Sequence, residues 1–191
     1  TAADRVSERI AFYCGQKQRS LTVVKEAEAE VINFGRFTDG SNVTEAKLGE
    51  TFAQWLNGKA VFAFQSKQWM IWNGSIWSSD DCGLMIKLAF QFISEAKQAL
   101  FETGNHSAAG SLSSFESLNR LENLCKLAAT DRAVSLNDFD KDPMLLAAPN
   151  QWIDLHSGHA FDPDPSILVS KSITTDYCAK SLCPNFDAFL N

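Results

Sequence analysis

A short segment between tryptophans places the strongest constraint on how this chain folds. Asn73 and Gly74 lie between the apolar residues 69–72 and the returning residues 75–77. Because both central positions of a type I′ turn require a positive φ, an Asn-Gly pair with apolar flanks predicts a β-hairpin. Residues 60–64, of sequence AVFAF, predict a further strand ahead of it. The fold must therefore combine a sheet with whatever surrounds it.

Helical patterns surround this hairpin. Apolar residues recur at intervals of three and four, which is the spacing of one helix face. Leu48, Phe52 and Trp55 form one such stripe. Residues 102–110 have the composition of a loop between two helices. The predicted helices are residues 4–13, 20–33, 43–56, 83–101 and 112–129, with Leu118, Leu121, Cys125 and Ala128 as the stripe of the last.

A second sheet is predicted between residues 138 and 158. Pro143 ends any preceding helix, because proline lacks an amide donor and restricts the residue before it. Residues 152–155 alternate large apolar and polar side chains, and residues 156–159 have the composition of a hairpin turn. We therefore predict an α+β fold: a mainly helical domain with a Trp-bearing β-hairpin and a second small antiparallel sheet.

Composition and charge limit the classes of function. The net charge of −6 argues against a basic field over the whole domain. The five cysteines are an odd, scattered set, which is typical of reduced thiols in a cytosol. No apolar run is long enough for a membrane span and no signal peptide is visible, so we expect a cytoplasmic protein without a membrane partner. The chain starts at Thr1, and we expect it to be a piece of a longer protein.

The sequence lacks the common catalytic motifs. The sequence has no phosphate-binding loop, no nucleophile elbow and no H-E-x-x-H motif. Carboxylates in residues 138–142 and 162–164 could serve metal-dependent nuclease or primase chemistry, but proline and large apolar residues interrupt both runs. His156, His159, Cys178 and Cys183 could bind zinc, although Cys-x₄-Cys is looser than a usual knuckle. We predict no catalytic residue, metal or cofactor in this chain.

Aromatic and basic side chains supply the candidate DNA contacts. Exposed tryptophans stack on single-stranded bases, and lysine or arginine contacts phosphates. A different interpretation stays open, in which the tryptophans fill one core face and the basic residues lie on a solvated helix face. The candidate contacts are Lys67, Trp69, Trp72, Trp77, Arg120, Lys126 and Arg132.

Three motifs in series resemble a known family. They are W-x-x-W-x-G-x-x-W, a D-x-D-P-x-L-L-x-x-P-N stretch ending near D-L-x-x-G, and C-P-x-F-x-x-F-L. The series resembles the domain that precedes the superfamily 3 helicase in phage, plasmid and poxvirus-type primase-helicase proteins. Gln151 and Ser157 depart from the family's usual glycine and threonine. The matching residues, besides the tryptophans, are Gly74, Asp140, Asp142, Pro143, Leu145, Leu146, Pro149, Asn150, Asp154, Leu155, Gly158, Tyr177, Ala179, Cys183, Pro184, Phe186, Phe189 and Leu190.

The resemblance implies a place within a replication protein. Residues 1–36 would be a helical lead-in from a primase-like domain, and residues 37–191 a helicase-associated domain that stops before the ATPase. ATP and Mg²⁺ would bind beyond Asn191. The implied role is a noncatalytic linker or collar that supports helicase ring assembly and contacts single- or double-stranded DNA. Its implied partners are other copies of itself and the adjoining primase and helicase domains. The alternative is a pure oligomerisation or protein-docking module without DNA contact.

Overall fold

A computed structural model describes residues 43–181 together with residues 184, 188 and 189. The helices predicted at 4–13 and 20–33, and the boundary after residue 36, lie outside these residues. The described helices are α1 Glu45–Trp55, α2 Leu84–Glu102, α3 His106–Leu112 and α4 Leu118–Asp131, with 3-10 helices at Ser113–Glu116 and Leu136–Asp138. The described strands are β1 Ala60–Ala63, β2 Gln68–Trp72, β3 Trp77–Ser79, β4 Ala133–Val134, β5 Leu145–Ala147, β6 Trp152–Asp154 and β7 Ala160–Phe161. The predicted α+β fold is confirmed.

The central sheet has the strand order β3-β2-β1-β4. Strands β1, β2 and β3 pair antiparallel, whereas β4 pairs parallel to β1 after the chain has passed through three helices. The hairpin after β2 is confirmed, but the two-residue type I′ turn is wrong. Trp72 pairs with Trp77, so residues 73–76 form the loop. The Asn73 carboxamide oxygen accepts from the amides of Ser75 and Ile76, both at 2.9 Å, and this side-chain turn replaces the tighter backbone turn.

One side of the central sheet packs on the helices. Leu48 and Phe52 of α1 and Phe92 of α2 are fully buried there, with the rings of Phe52 and Phe92 5.1 Å apart. Asp80 fixes the start of α2, because its two carboxylate oxygens accept from the amides of Leu84 and Met85 at 2.8 Å each. The stripes and the acidic start read from the sequence thus mark real helix positions.

The other side of the central sheet packs on a three-stranded antiparallel sheet of order β5-β6-β7. Trp72, Trp77 and Trp152 fill the space between the two sheets, with the Trp72 and Trp152 rings 6.0 Å apart. The Trp152 indole nitrogen donates to the carbonyl of Ser75 at 3.0 Å. The central sheet therefore has helices on one face and the second sheet on the other.

Two local predictions were wrong. Residues 102–110 are not a continuous loop, because α3 begins at His106. The Asn105 carboxamide accepts from the Ala108 amide at 3.1 Å, a helix-cap signal that the polar composition obscured. Leu118 does not face the core but is 59% exposed. Among the described helices, none combines the length and apolar character of a membrane span.

Candidate functional site

The hairpin tryptophans divide between the two faces of the central sheet, because successive strand residues point to opposite faces. Trp69 points towards the helices and packs edge-on against the Phe62 ring, with the two ring centres 5.3 Å apart. Trp72 and Trp77 point towards the second sheet and are only 5% and 1% exposed. Their buried rings have no free face for a base, so they are wrong as stacking contacts. The interpretation that all three fill one core face is also corrected.

The two candidate arginines hold parts of the fold together. The Arg120 guanidinium lies 4.7 Å from the centre of the Phe115 ring. Arg132 donates to the carbonyl of Ala60 and to the side-chain oxygen of Asn57, each at 3.2 Å. Partial burial lowers the pKa of Arg132 from its ordinary value. A phosphate would compete with these contacts, and DNA contact by either arginine stays a prediction.

The two candidate lysines are exposed. Lys67 lies in the turn between β1 and β2 with a φ of +53°, an uncommon value for a residue with a side chain. Lys126 lies on α4 and borders the same groove as Trp69. Of the seven sequence candidates, the structure thus brings Trp69 and Lys126 to one concave surface.

This surface is a groove of about 640 Å³ between the central sheet, the first turn of α2 and the middle of α4. We call it the aromatic groove and define it by Phe62, Phe64, Trp69, Ile86, Lys126 and Ala129. Its volume falls within the range of roughly 300–1,000 Å³ that is usual for ligand sites. The helices therefore leave part of the central sheet uncovered.

Phe62 and Phe64 supply aromatic surface that the sequence reading did not single out. They are two apart on and after β1, so they share one face of the sheet, and Phe64 is 69% exposed. The alternation in AVFAF was the signal that could have found them. Glu122 and Lys126, four residues apart on α4, bring opposite charges to the groove. The groove is thus apolar with a locally balanced charge.

The floor of the aromatic groove carries an unreactive thiol. Cys125 is buried, and its Sγ donates weakly to the Met85 carbonyl at 3.9 Å. Burial raises the pKa of Cys125 to about 12, and the negative charges of Asp80 and Glu122 act in the same direction. Because the thiolate is the nucleophile, this cysteine has no nucleophilic role near neutral pH. The groove is suited to binding apolar groups and lacks a thiolate for catalysis.

Motif residue Asp140 fastens the segment that follows the second sheet. Its carboxylate accepts from the Ser170 amide at 2.7 Å and from the Ser170 hydroxyl at 2.6 Å. Its own amide donates to the Leu168 carbonyl at 2.8 Å. Asp140 has a φ of +53°, a conformation that costs free energy for a residue with a side chain. These three hydrogen bonds offset that cost.

Motif residue Asn150 grips the same segment further along. Its side-chain nitrogen donates to the Tyr177 carbonyl at 2.9 Å, and its side-chain oxygen accepts from the Tyr177 amide at 2.8 Å. Both polar ends of one carboxamide thus bind one backbone unit. Since Asn150 is 27 residues before Tyr177, this contact closes a long loop.

Between its contacts with Asp140 and Asn150, the segment forms hydrogen bonds with both sheets. The Trp77 amide of β3 donates to the Val169 carbonyl at 2.8 Å, and Val169 is buried between the sheets. The Ile173 amide donates to the Ala147 carbonyl of β5 at 2.9 Å. We call residues 168–177 the tail strap. It ties the last part of the described chain to the edges of both sheets.

The other motif residues shape turns and strands. Gly74 and Gly158 have φ values of +95° and +72°, which favour glycine. The Asp154 carboxylate accepts from the His156 amide at 2.8 Å and from the Ser157 hydroxyl at 2.6 Å, so serine performs the bond that a threonine would make. Gln151 has no positive φ, and its departure from glycine causes no strain. Leu145 lies in β5, Pro143, Pro149, Leu155 and Pro184 are exposed, and Cys183 lies outside the described residues.

The metal-type residues are dispersed over the described part of the chain. No group of three histidine, cysteine or acidic residues there has a geometry that could hold a metal ion. His156, His159 and Cys178 are exposed, and the fourth candidate zinc ligand, Cys183, is not described. Asp138 pairs with Lys141 at 2.7 Å, and hydrogen bonds from Lys141 and the Ser135 amide lower the pKa of Asp138. These acidic residues serve the fold through the contacts they make.

A model of a known protein family matches most of this chain. The family model described as "D5 N terminal like" matches residues 49–191, a range that holds the last seven residues of α1 and every later helix and strand that the structure describes. No curated protein matches the chain. The match agrees with the motif series in the hairpin, the Asp140 to Gly158 stretch and the tail. The chain therefore belongs to the D5 N-terminal-like family, the N-terminal domain of primase-helicase proteins.

Proposed function

We propose that this chain is a noncatalytic connector and collar of a phage or plasmid replicative primase-helicase. It joins a priming module to a superfamily 3 helicase and supports assembly of the helicase ring in the host cytoplasm. Membership of the family supports the general role in replication. The finer role follows from how the tail strap is fastened.

The tail strap is the observation that carries this proposal. Four separate anchors hold it: Asp140, Trp77, Ala147 and Asn150 each bond to its backbone. A segment held at so many points moves with the body of the domain, whereas a free linker would move independently. The strap therefore gives the residues that lead to the following domain a fixed starting point. This is the mechanical property that a collar needs.

We assign ATP hydrolysis by the helicase ring to another part of the protein. Asp138, Asp140 and Asp154 use their carboxylates for turns and for the strap. We place ATP and Mg²⁺ binding in the helicase domain, beyond Asn191. The collar then acts by position alone, through contacts with its neighbours.

The test uses a polypeptide extended through the helicase domain, with and without Asn150→Ala. We expect the variant to form rings only at higher protein concentration in sedimentation velocity, while ATP hydrolysis per assembled ring stays unchanged. Asn123→Ala, at an exposed position on α4, is the matched control. Normal ring assembly by the Asn150 variant, once hydrogen exchange has shown the strap to be released, would contradict the proposal.

A second candidate function is contact with single-stranded DNA. It is favoured by one observation, the presence of Trp69 and Lys126 on the same groove with the exposed Lys67 on the turn that precedes β2. Fluorescence anisotropy with a labelled oligonucleotide at two salt concentrations tests it. Binding that weakens with salt and with the double variant Lys67→Ala, Lys126→Ala would support DNA contact. Absence of binding by the folded chain would leave the structural collar alone.

A further inference from the structure

We propose that the aromatic groove receives the apolar segment 184–190 of a second copy of this chain, so that copies join head to tail. This inference rests on the ring-assembly part of the proposed function and names the contact that would carry it. The occupant is thus an aromatic peptide segment with one acidic residue. The argument uses exposure, charge and the placement of the two surfaces.

The donor segment presents an unprotected aromatic side chain. Phe189 is 83% exposed, more than any other large apolar side chain in the described residues. In the sequence, Phe186, Phe189 and Leu190 follow at intervals of three and four, the spacing at which apolar groups anchor into a groove. An apolar group of this size is exposed to water at a cost that docking removes.

The groove matches the segment in shape class and in charge. Phe62, Phe64 and Trp69 offer aromatic rings to an aromatic partner, which favours edge and offset contacts. Asp187 lies between Phe186 and Phe189 in the sequence. The exposed Lys126 at the groove provides an opposite charge for it. One carboxylate can pair with Lys126, whereas a DNA strand would also bring phosphates close to the negative charge of Glu122.

The position at which the tail strap ends favours a neighbouring copy over the chain's own groove. The aromatic groove lies on the helical side of the central sheet. The tail strap ends at Tyr177, held by Asn150, which lies in the turn between β5 and β6 of the sheet on the opposite side. A donor and an acceptor that are different surfaces of one chain make a heterologous contact. Such contacts build rings when the rotation closes and filaments when it does not.

The expected contact is weak for a single pair. Two phenylalanines and one leucine together bury at most about 450–750 Å² on the segment. A standard stable interface buries about 800 Å² on each partner. One link alone therefore forms only at high protein concentration. Closure of a ring adds the links together and strengthens the assembly by effective concentration.

Sedimentation velocity of the whole chain over a wide concentration range tests the contact. Phe64→Ser removes an exposed ring from the groove, and Phe189→Ser removes one from the segment. Both rings are outside the core, so neither change should prevent folding. Each variant alone is expected to be a monomer where the wild-type chain associates. An equal mixture is expected to form dimers and nothing larger, because each pair keeps one intact groove and one intact segment.

Phe101→Ser is the matched control, since Phe101 is an exposed ring near the far end of α2 from the groove. Its association should equal that of the wild-type chain. A monomeric wild-type chain, association that survives both variants, or a mixture that stays monomeric would overturn the contact. Loss of oligonucleotide binding in Phe64→Ser with association intact would assign the groove to DNA and overturn it as well. None of these outcomes decides the collar proposal, which the extended polypeptide tests separately.

Discussion

The two faces of the central sheet are covered to different extents. On one face, the second sheet and the tail strap enclose Trp72, Trp77 and Trp152 completely. On the other face, the helices bury most of the surface but leave the rings of Phe62 and Phe64 at an open groove. Strand β2 contributes a tryptophan to each face, Trp69 to the helical side and Trp72 to the side of the second sheet. Aromatic residues close together in sequence thus stabilise the fold on one face and form an available surface on the other.

The largest expected effect comes from truncating an aromatic residue on each face. Trp152→Ala should lower the free energy of unfolding by about 3–5 kcal/mol, because it empties a site in the closed layer. Phe64→Ala should change it by no more than about 0.5 kcal/mol, because that ring already faces solvent. Urea denaturation followed by circular dichroism measures both. Equal losses for the two variants would remove the distinction between the faces.

A finer comparison stays within the closed face. Trp152 donates its indole N–H to the Ser75 carbonyl, whereas the buried Trp77 indole nitrogen has no partner among the described residues. Trp152→Phe should therefore cost about 1–3 kcal/mol more than Trp77→Phe, since it leaves a carbonyl without its donor. The same denaturation experiment applies. A larger loss for Trp77→Phe would show that packing outweighs the hydrogen bond here.

The free energy of unfolding should also depend on pH, because a partly buried lysine lies on the helical side of the sheet. The Lys59 ammonium lies 3.4 Å from the centre of the Trp55 ring, and burial lowers the pKa of Lys59 from 10.5 to about 8, with Glu95 acting in the opposite direction. Between these two pKa values the unfolded chain binds more protons than the folded one, so stability rises with pH. Below pH 8 the cost of burying the charge is fully present.

The variant Lys59→Met isolates this effect. We expect its stability relative to the wild-type chain to be highest near pH 7 and to decrease as the pH is raised from about 8 to 10.5, where the wild-type chain loses its buried charge. Thermal unfolding at several pH values measures the difference. A constant difference over this range would mean that Lys59 is solvated in the folded state.

The smallest perturbation is chemical labelling of the thiols. Cys82 and Cys178 are exposed and should react with a thiol reagent in the native chain. Cys125, under the aromatic groove with its pKa raised to about 12, should react only after unfolding. Mass spectrometry of labelled peptides assigns each site. Fast native labelling of Cys125 would show that the groove opens to its floor.

Much of this fold was accessible from local patterns. The stripe of Leu48, Phe52 and Trp55, the turn at Gly74 and the break at Pro143 each depend on near neighbours in sequence. Strand β4 was missed because two residues joined to β1 mainly by backbone hydrogen bonds leave no side-chain signature. The helix at His106 was missed because polar residues concealed its cap.

The candidate site was less accessible for a physical reason. Strand periodicity alone separates Trp69 from Trp72, but which face stays open depends on how far the helices extend over the sheet. The aromatic groove is defined by missing cover, which no single segment encodes. The grip of Asn150 on Tyr177 joins residues far apart in sequence, and only the folded structure brings them together.

The two hydrogen bonds between the Asn150 side chain and the Tyr177 backbone determine which substitutions this contact tolerates. Asn150 binds only the backbone of position 177, so it does not select the side chain there, whereas a change to alanine at position 150 removes both bonds. Position 177 is free to accept any residue that keeps its amide, which excludes only proline. The contact is therefore specific for the side chain at position 150 and independent of the side chain at position 177. A chain built in this way can vary the residue at position 177 while keeping the same attachment.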